Sequence, residues 1–183
     1  MEKPQICFLQ ETKCNNSTLE SILSKAWIGC QTVVVDASRA SGGLAIAWDV
    51  KVLSLLEFHA SHHFIQANFH LLGTNMHGLL SNVYFPQDAR KKVDLLNTIE
   101  TLNSHRIHPL WIAGGDFNMI TKLEEKLGGR NRLDEETNSF KDFINNASLI
   151  DLQFCNGKYT WSNRRTGKYH IASKLDRFLV SDN

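Results

Sequence analysis

An acid and an amide follow a strongly apolar strand candidate in the stretch "PLWIAGGDFNMI", which runs from residue 109 to residue 120. Because the side chains of an extended strand repeat every two residues, Asp116 and Asn118 would project to the same side of the strand end. The preceding glycines, Gly114 and Gly115, would let a ligand or another backbone come close to that end. The alternative is an ordinary turn, since Asp and Asn side chains also cap local backbone.

A second strand candidate, "CFLQET", also ends in polar residues. Gln10 and Glu11 follow its apolar run directly. A carboxylate at a strand end is the kind of hard oxygen ligand that Mg2+ prefers. The alternative is a solvated charge, which is the commoner place for a glutamate. Glu11 is therefore a candidate metal ligand.

Two further strand candidates carry residues that could take part in chemistry. Tyr84 stands two residues before Pro86 in "LLSNVYFP", and Asp176 precedes Arg177 in "SKLDRFLVS". Taken alone, Tyr84 is most simply an amphipathic side chain at a core edge, and Asp176 a local ion pair with Arg177. Taken together, the four stretches predict strands that deliver Glu, Tyr, Asp, Asn and Asp to one end of a sheet sandwich.

The elements that must position these residues can be predicted from hydrophobic pattern. Eight segments have the β-branched and aromatic content of strands, namely 6–11, 31–36, 43–48, 52–58, 64–72, 79–85, 110–115 and 175–181. Three segments, 17–27, 88–104 and 135–147, show the apolar stripe of an amphipathic helix, with Ser17 and Asp134 as candidate caps of the first and third. We predict an α/β fold with two packed β-sheets flanked by helices, a four-layer α/β sandwich, as a single domain over residues 1–183.

Composition restricts the class of protein. A chain of 183 residues with 42 % apolar and 21 % charged residues is ordinary for a globular protein. No apolar run approaches the ~20 residues of a membrane span and no signal peptide is recognisable, so we expect an intracellular protein with no membrane partner. Four dispersed cysteines favour reduced thiols. A net charge of +1 leaves any nucleic-acid affinity to a local patch.

Histidines and basic residues offer further candidate sites. His59, His62 and His63, or His105 with His108, could suggest a transition-metal site, but no Cys or acid lies at a familiar ligand spacing. Basic residues cluster at 122–132 and at 164–177. The second cluster interleaves Trp161 and Tyr169 with Arg164, Arg165, Lys168 and Lys174. It suits phosphate tracking with aromatic contacts, and the alternative is a solvated loop.

Six stretches resemble, in the same order, the endonuclease/exonuclease/phosphatase superfamily, which includes deoxyribonucleases, apurinic-site endonucleases and inositol polyphosphate phosphatases. They are "LQET" (9–12), "SGGLAIAW" (41–48), "NVYFP" (82–86), "GGDFN" (114–118), "YTWSN" (159–163) and "KLDRFLVS" (174–181). The stretches "EKLGGR" (125–130) and "SLIDLQFCNGKYTWSN" (148–163) most resemble the endonuclease domain of plant LINE-type (non-LTR) retrotransposons. The resemblance covers essentially the whole chain.

The resemblance implies Mg2+-dependent phosphodiester hydrolysis, with Mn2+ as the alternative ion. Glu11 would bind the metal, and Asp116 would align or deprotonate the attacking water. Asn118 and Tyr84 would hydrogen-bond the scissile phosphate from opposite sides. The implied set comprises catalytic Tyr84, Asp116, Asn118 and Asp176, metal-binding Glu11, and substrate-binding Thr160, Trp161 and Arg177.

Parts of the family pattern have no counterpart. The family's first strand, with an Asn at the metal site, is missing before "QET", and its "SDH" motif is missing after "LDRFLVS". We interpret "SDN" (181–183) as a strand terminus. Lys174 stands directly before "LDR", where the family usually has an Arg. The substitution keeps the positive charge but loses the bidentate hydrogen bonding of a guanidinium. We therefore expect a domain truncated at both ends, with marginal stability and weak or absent activity.

The expected function is nicking of a DNA substrate, in the nucleus, to leave a 3′ hydroxyl for reverse transcription. One alternative is a catalytically dead relic or nucleic-acid-binding module that keeps the fold. A second is a small-molecule phosphoesterase, which would use the same core motifs. DNA affinity without Mg2+-dependent cleavage would distinguish the first alternative from the nuclease.

Overall fold

The computed structural model describes residues 4–38, 41–104 and 110–182. The strands are β1 (Ile6–Gln10), β2 (Cys30–Val35), β3 (Leu44–Asp49), β4 (Leu53–Ala60), β5 (Phe64–Leu71), β6 (His77–Tyr84), β7 (Leu110–Asp116), β8 (Lys126–Leu127), β9 (Leu149–Asp151), β10 (Trp161–Ser162), β11 (Ala172–Ser173) and β12 (Asp176–Ser181). The helices are α1 (Asn16–Ala26), α2 (Ala89–Asn103) and α3 (Glu136–Asn146). Within the described ranges, no helix is both long enough and apolar enough to cross a bilayer.

All eight predicted strands and all three predicted helices are present, but both proposed caps are wrong. Asn15 caps α1, because its Oδ1 accepts a hydrogen bond from the backbone N–H of Thr18 at 2.9 Å. Ser17 lies two residues after Asn15, inside the helix, and its hydroxyl donates a hydrogen bond to Oδ1 of Asn15. At α3 the cap position falls on Glu135, which makes no side-chain capping hydrogen bond, so Asp134 does not cap this helix.

The chain divides into two compact units, 1–84 with 108–115, and 85–107 with 116–183. Within the first unit, the strands form hydrogen-bonded sets of order β1-β3-β2 and β4-β5-β6-β7, and within the second unit they form the sets β12-β9 and β10-β11-β8. That residues 1–183 form a single domain stays a prediction.

The first unit contains two sheets packed face to face. In one sheet, β3 pairs antiparallel with both β1 and β2, and its residues Leu44 and Ile46 are fully buried. They pack in one apolar cluster with Ile65 of β5 and Leu80 of β6, from the other sheet. Helix α1 packs against β2. The predicted α/β fold of two packed sheets with flanking helices is confirmed.

In the second unit, a buried ion pair joins two helices. Helices α2 and α3 pack together, and α3 also contacts β9. The Nζ atom of Lys92 donates to Oε1 of Glu136 at 2.6 Å, and both side chains are more than nine-tenths buried. Burial by itself raises the pKa of the Glu136 carboxyl, but the hydrogen bond and charge of Lys92 lower it overall. The pair therefore links the two helices as an ion pair.

A second buried ion network surrounds Arg177 of β12. Its side chain is fully buried, and its guanidinium binds both carboxylate oxygens of Glu125 and one of Asp151. Lys174 Nζ contacts the two carboxylate oxygens of Asp151 at 2.9 and 2.8 Å. Two cations and two carboxylates thus join the 123–125 turn, β9 and the start of β12. Breaking such a group on one side leaves an uncompensated buried charge.

Glu125 should make the stability of the chain depend on pH in acid. Burial alone raises the pKa of its carboxyl, but hydrogen bonds from Arg177 and Thr121 and the Arg177 charge lower it to about 2. A folded-state pKa below the unfolded value means that the stabilisation is present above about pH 5 and is lost as the pH falls toward 2. A shift of this size corresponds to about 3 kcal/mol. We expect Glu125→Gln to lower the free energy of unfolding by about that amount at pH 7.

Urea denaturation of the wild type and the variant at pH 7, 5 and 3 measures this difference. The exposed neighbour Glu124 provides the matched control, Glu124→Gln. We expect the gap between Glu125→Gln and the wild type to narrow toward pH 3, whereas Glu124→Gln follows the wild type throughout. A gap that stays constant from pH 7 to pH 3 would contradict the assignment.

Candidate active site

Glu11 and Tyr84, two of the predicted site residues, meet in the first unit. Glu11 directly follows β1 and is exposed, and Tyr84 is the last residue of β6. The Tyr84 hydroxyl donates a hydrogen bond of 2.6 Å to Oε1 of Glu11, across 73 residues of sequence. Two strand ends thus bring a phenol and a carboxylate together, as the strand-end pattern predicted.

The chain bends sharply after Glu11, which adopts a left-handed backbone with φ 50°. The N–H groups of the next two residues, Thr12 and Lys13, donate to the carbonyls of Gly43 and Gly42. A Cβ on Gly43 would lie 2.2 Å from the Thr12 hydroxyl oxygen, so the site needs glycine there. The "SGG" stretch therefore supports the segment that carries Glu11, a role that sequence reasoning did not assign.

Asn82 is a buried support of the same strand end that sequence reasoning missed. It is fully buried in β6, and its Nδ2 donates to the carbonyls of Leu9 in β1 and Ala45 in β3, at 3.0 and 2.8 Å. Its Oδ1 accepts from the side chain of Gln10. One amide thus ties the two sheets together beside Glu11. The signal was a polar residue inside the apolar "LLSNVYF" strand.

Asp116 and Asn118 form a second group, in the second unit. Asn118 has a left-handed backbone, φ 50°, and its N–H donates to Oδ1 of Asp116 at 2.8 Å. The structure therefore shows the turn, one of the two interpretations that the sequence left open, because β7 ends at Asp116 and the backbone is not extended as far as Asn118. Asp116 is half-buried, and Asn118 is 9 % exposed.

Two contacts fix the side-chain amide of Asn118. Its Nδ2 donates to the carbonyl oxygen of Phe85, and its Oδ1 accepts from Nε2 of Gln87, both at 2.7 Å. The Phe85 carbonyl can only accept, which sets the orientation of the amide. Among the described residues, the second N–H of Nδ2 has no protein partner. Gln87 was not among the predicted residues, although it directly follows "NVYFP".

Thr160 and Trp161 lie near this second group. The Thr160 hydroxyl oxygen accepts from the backbone N–H groups of Leu175 and Asp176, each at 3.0 Å, so Thr160 anchors the start of β12. Trp161 is 46 % exposed. Together with Asn118, it lines an open pocket of about 630 Å³ within the second unit. This pocket is a candidate substrate groove.

Arg177 and Lys174 do not lie where the sequence predicted. Arg177 was expected to bind substrate, but its guanidinium is enclosed by Glu125 and Asp151 in the interior, so we withdraw that role. Its partners also differ from the local pair with Asp176. Lys174 is 5 % exposed and is paired with Asp151. It is therefore not one of the surface cations of the 164–177 cluster that could contact phosphates.

Gly115, the residue before Asp116, makes room for a neighbouring backbone. Gly115 has φ +133°, and a Cβ on it would lie 2.1 Å from the carbonyl oxygen of Val83 in the neighbouring strand β6. The sequence left open whether a ligand or another backbone comes close to the glycines. At Gly115 it is the backbone of β6 that does so.

The donors fit a magnesium ion only as a partial site. Among the described residues, no three His, Cys, Asp or Glu side chains are grouped to hold a metal; His105 and His108 lie outside those residues. Glu11 offers one exposed carboxylate. Mg2+ is commonly held by one or two carboxylates, with waters and substrate phosphates completing its shell. Glu11 therefore suits a magnesium ion that arrives with a phosphate, and the ion itself stays a prediction.

Comparisons identify the fold. No protein-family profile and no curated protein matches the sequence. The AP endonuclease LMAP from Leishmania major has a TM-score of 0.69 and 16 % identity, over 99 % of this chain and 71 % of that one. An endonuclease/exonuclease/phosphatase family protein from Bacteroides thetaiotaomicron has 0.67 and 16 %, over 97 % and 69 %. The endonuclease domain of TRAS1, a telomere-specific non-LTR retrotransposon, has 0.67 and 15 %, over 97 % and 72 %. The chain thus has the fold of the endonuclease/exonuclease/phosphatase proteins.

The close approach at Gly115 predicts a large loss of stability on substitution. We expect Gly115→Ala to lower the free energy of unfolding by about 3 kcal/mol or more, because the methyl group must displace the β6 backbone. Gly73 is the matched control, since it also has positive φ, +77°, but nothing lies within 4 Å of its Cβ position. Gly73→Ala should cost only about 1 kcal/mol. Equal losses in urea denaturation would contradict the steric argument.

Proposed function

We propose that this chain is a Mg2+-dependent phosphodiesterase that nicks DNA, of the kind that forms the endonuclease domain of plant LINE-type retrotransposon proteins. The fold shared with an AP endonuclease and with the TRAS1 domain supports phosphodiester hydrolysis in general. The observation that carries the proposal for this chain is the 2.6 Å hydrogen bond between Tyr84 and Glu11, the residues to which the resemblance assigns phosphate and metal. The stretches "EKLGGR" (125–130) and "SLIDLQFCNGKYTWSN" (148–163) support the retrotransposon type.

The residues have properties that phosphodiester hydrolysis needs. In this reaction the protein must mainly position a water and stabilise charge that develops on phosphate oxygens. The Asp116 carboxylate is held by the N–H of Asn118 and is a candidate to orient the water. Asn118 retains an amide N–H that can donate to a phosphate oxygen. A magnesium ion, when bound at Glu11, supplies charge stabilisation as a Lewis acid.

Relaxation of supercoiled plasmid, with Mg2+ or with EDTA, tests this function. We expect wild-type nicking that requires Mg2+, and a loss of about 10²-fold or more in both Glu11→Gln and Asp116→Asn. The exposed acids Glu57 and Asp142 provide charge-matched controls, Glu57→Gln and Asp142→Asn, which should keep the wild-type rate. Thermal melting of every variant verifies that it is folded.

The alternatives are distinguished when nicking is compared with DNA binding and with phosphate release from small phosphate esters. Absence of nicking in a folded chain that still binds DNA would overturn the nuclease proposal and favour a binding module or relic. Release of phosphate from small phosphate esters, without nicking, would favour the small-molecule phosphoesterase. Nicking that persists in Asp116→Asn would remove the role proposed for this carboxylate.

A further inference from the structure

The turn that joins β4 to β5 brings His63 next to the end of β6. The register that pairs Phe64 with Val83 places His63 directly opposite Tyr84. The backbone N–H of Tyr84 donates to the carbonyl oxygen of His63 at 2.9 Å. In an antiparallel ladder, two residues that form such a hydrogen-bonded pair normally exchange both of their backbone bonds. The reciprocal bond here would run from the His63 N–H to the Tyr84 carbonyl.

The turn takes that N–H out of the ladder. The backbone N–H of His63 donates instead to the hydroxyl oxygen of Ser61, at 3.2 Å. The N–H of Phe64 donates to the same oxygen, also at 3.2 Å, so Ser61 closes the turn with one side chain. The facing residue therefore offers no backbone donor to the carbonyl of Tyr84, at the end of β6.

The ring of His63 supplies the donor in place of the backbone. Its Nδ1 lies 3.1 Å from the carbonyl oxygen of Tyr84. Because a carbonyl oxygen can only accept, we assign the proton to Nδ1 in this contact, which also sets the tautomer of the neutral ring. His63 thus contacts both backbone groups of Tyr84, one through its own carbonyl and the other through its ring.

The residue that His63 holds is the one whose hydroxyl reaches Glu11. The Tyr84 hydroxyl donates to Oε1 of Glu11 at 2.6 Å, and Tyr84 is the last residue of β6. Terminal residues are the first to open locally, and a side chain keeps its position only as well as the backbone beneath it. Without Nδ1, the backbone of Tyr84 would have one bond to His63 rather than two.

We propose that His63 is a positioning residue, whose ring holds the end of β6 so that the Tyr84 hydroxyl stays in place against Glu11. The proposal deepens the proposed function, because it rests on the roles given there to Tyr84 and Glu11. It also distinguishes His63 from the other two histidines of "FHASHHF". His59 and His62 are exposed, whereas His63 is half-buried.

Variants at position 63 separate the hydrogen bond of the ring from its bulk. The Nδ2 of asparagine lies as many bonds from Cβ as the Nδ1 of histidine, so His63→Asn keeps a donor for the Tyr84 carbonyl. His63→Leu keeps bulk and removes the donor. His63→Gln places its amide nitrogen one bond further out, and it takes the place of His63→Leu if the leucine variant does not fold. The exposed neighbour provides the matched control, His62→Leu.

The carbon-13 shift of Tyr84 Cζ reports the contact with Glu11 without any cleavage. The chain has three tyrosines, so labelling at Cζ gives three resonances, and Tyr84→Phe identifies the relevant one. Glu11→Gln gives the shift that results when the carboxylate contact is lost. In EDTA at pH 7, we expect His63→Leu to move the Tyr84 resonance at least halfway toward that position. His63→Asn and His62→Leu should keep the wild-type shift.

Plasmid nicking gives a second measurement. We expect His63→Leu to lower kcat about tenfold with an unchanged KM, because a misplaced hydroxyl affects the transition state rather than the binding of the plasmid. His63→Asn should stay within about twofold of the wild-type kcat, since it keeps the hydrogen bond. His62→Leu should keep the wild-type rate.

The two measurements separate this proposal from the proposed function. A moved Tyr84 resonance in His63→Leu, with the wild-type shift in His63→Asn, supports the contact even if the wild type does not nick. A wild-type shift in His63→Leu overturns the proposal even if the chain nicks. A His63→Asn resonance that moves as far as that of His63→Leu also overturns it, since bulk would then decide. In a chain that nicks, an unchanged kcat in His63→Leu removes the positioning role. Melting curves verify that each variant is folded.

Discussion

The buried guanidinium of Arg177 is the interaction on which the second unit depends. A charge removed from water costs several kcal/mol unless it is paired and hydrogen-bonded, and of the nitrogens of this guanidinium only Nε has no hydrogen-bond partner among the described residues. Glu125 and Asp151 supply the countercharge, and the carbonyl oxygen of Met119 accepts a further hydrogen bond of 3.2 Å. Met119 directly follows Asn118. The same charge that fixes the 123–125 turn therefore also anchors the segment that carries the candidate phosphate-binding amide.

Two of the proposed functional residues, Glu11 and Asn118, have an unfavourable backbone conformation. Both adopt a left-handed φ angle of 50°, although neither is glycine, and Lys13, Ser148 and Arg164 share this conformation at 50° to 56°. Each such angle costs about 1 kcal/mol or more and persists only where the surroundings compensate. The compensation is visible for both residues: the N–H groups that follow Glu11 donate to the carbonyls of Gly43 and Gly42, and the N–H of Asn118 donates to Asp116. At both places the chain turns just after the end of a strand.

The main elements of the fold were predictable because each long element has its own hydrophobic period. The eight strands and three helices all carry five or more residues of pattern, and all are present. The missed strands, β8 to β11, have two or three residues each, too few for any period to be recognised. The caps were mistaken for a related reason, since Asn15 and Ser17 are equally good capping residues and only the hydrogen bond distinguishes them.

The positions of Glu11, Tyr84 and Asp116 at the ends of strands were predictable from the sequence, whereas their roles in a site stay predictions. Contacts were not predictable where the partners are distant in sequence. Asp176 and Arg177 are adjacent in β12, so an ion pair between them looked natural, but successive side chains of a strand point to opposite faces. Arg177 faces the interior, where its partners are Glu125 and Asp151, which lie 52 and 26 residues earlier in the sequence. Two oppositely charged residues that are adjacent within a strand are therefore poor candidates for an ion pair. Strand geometry alone argues against the ion pair between Asp176 and Arg177 that their adjacency in the sequence suggested.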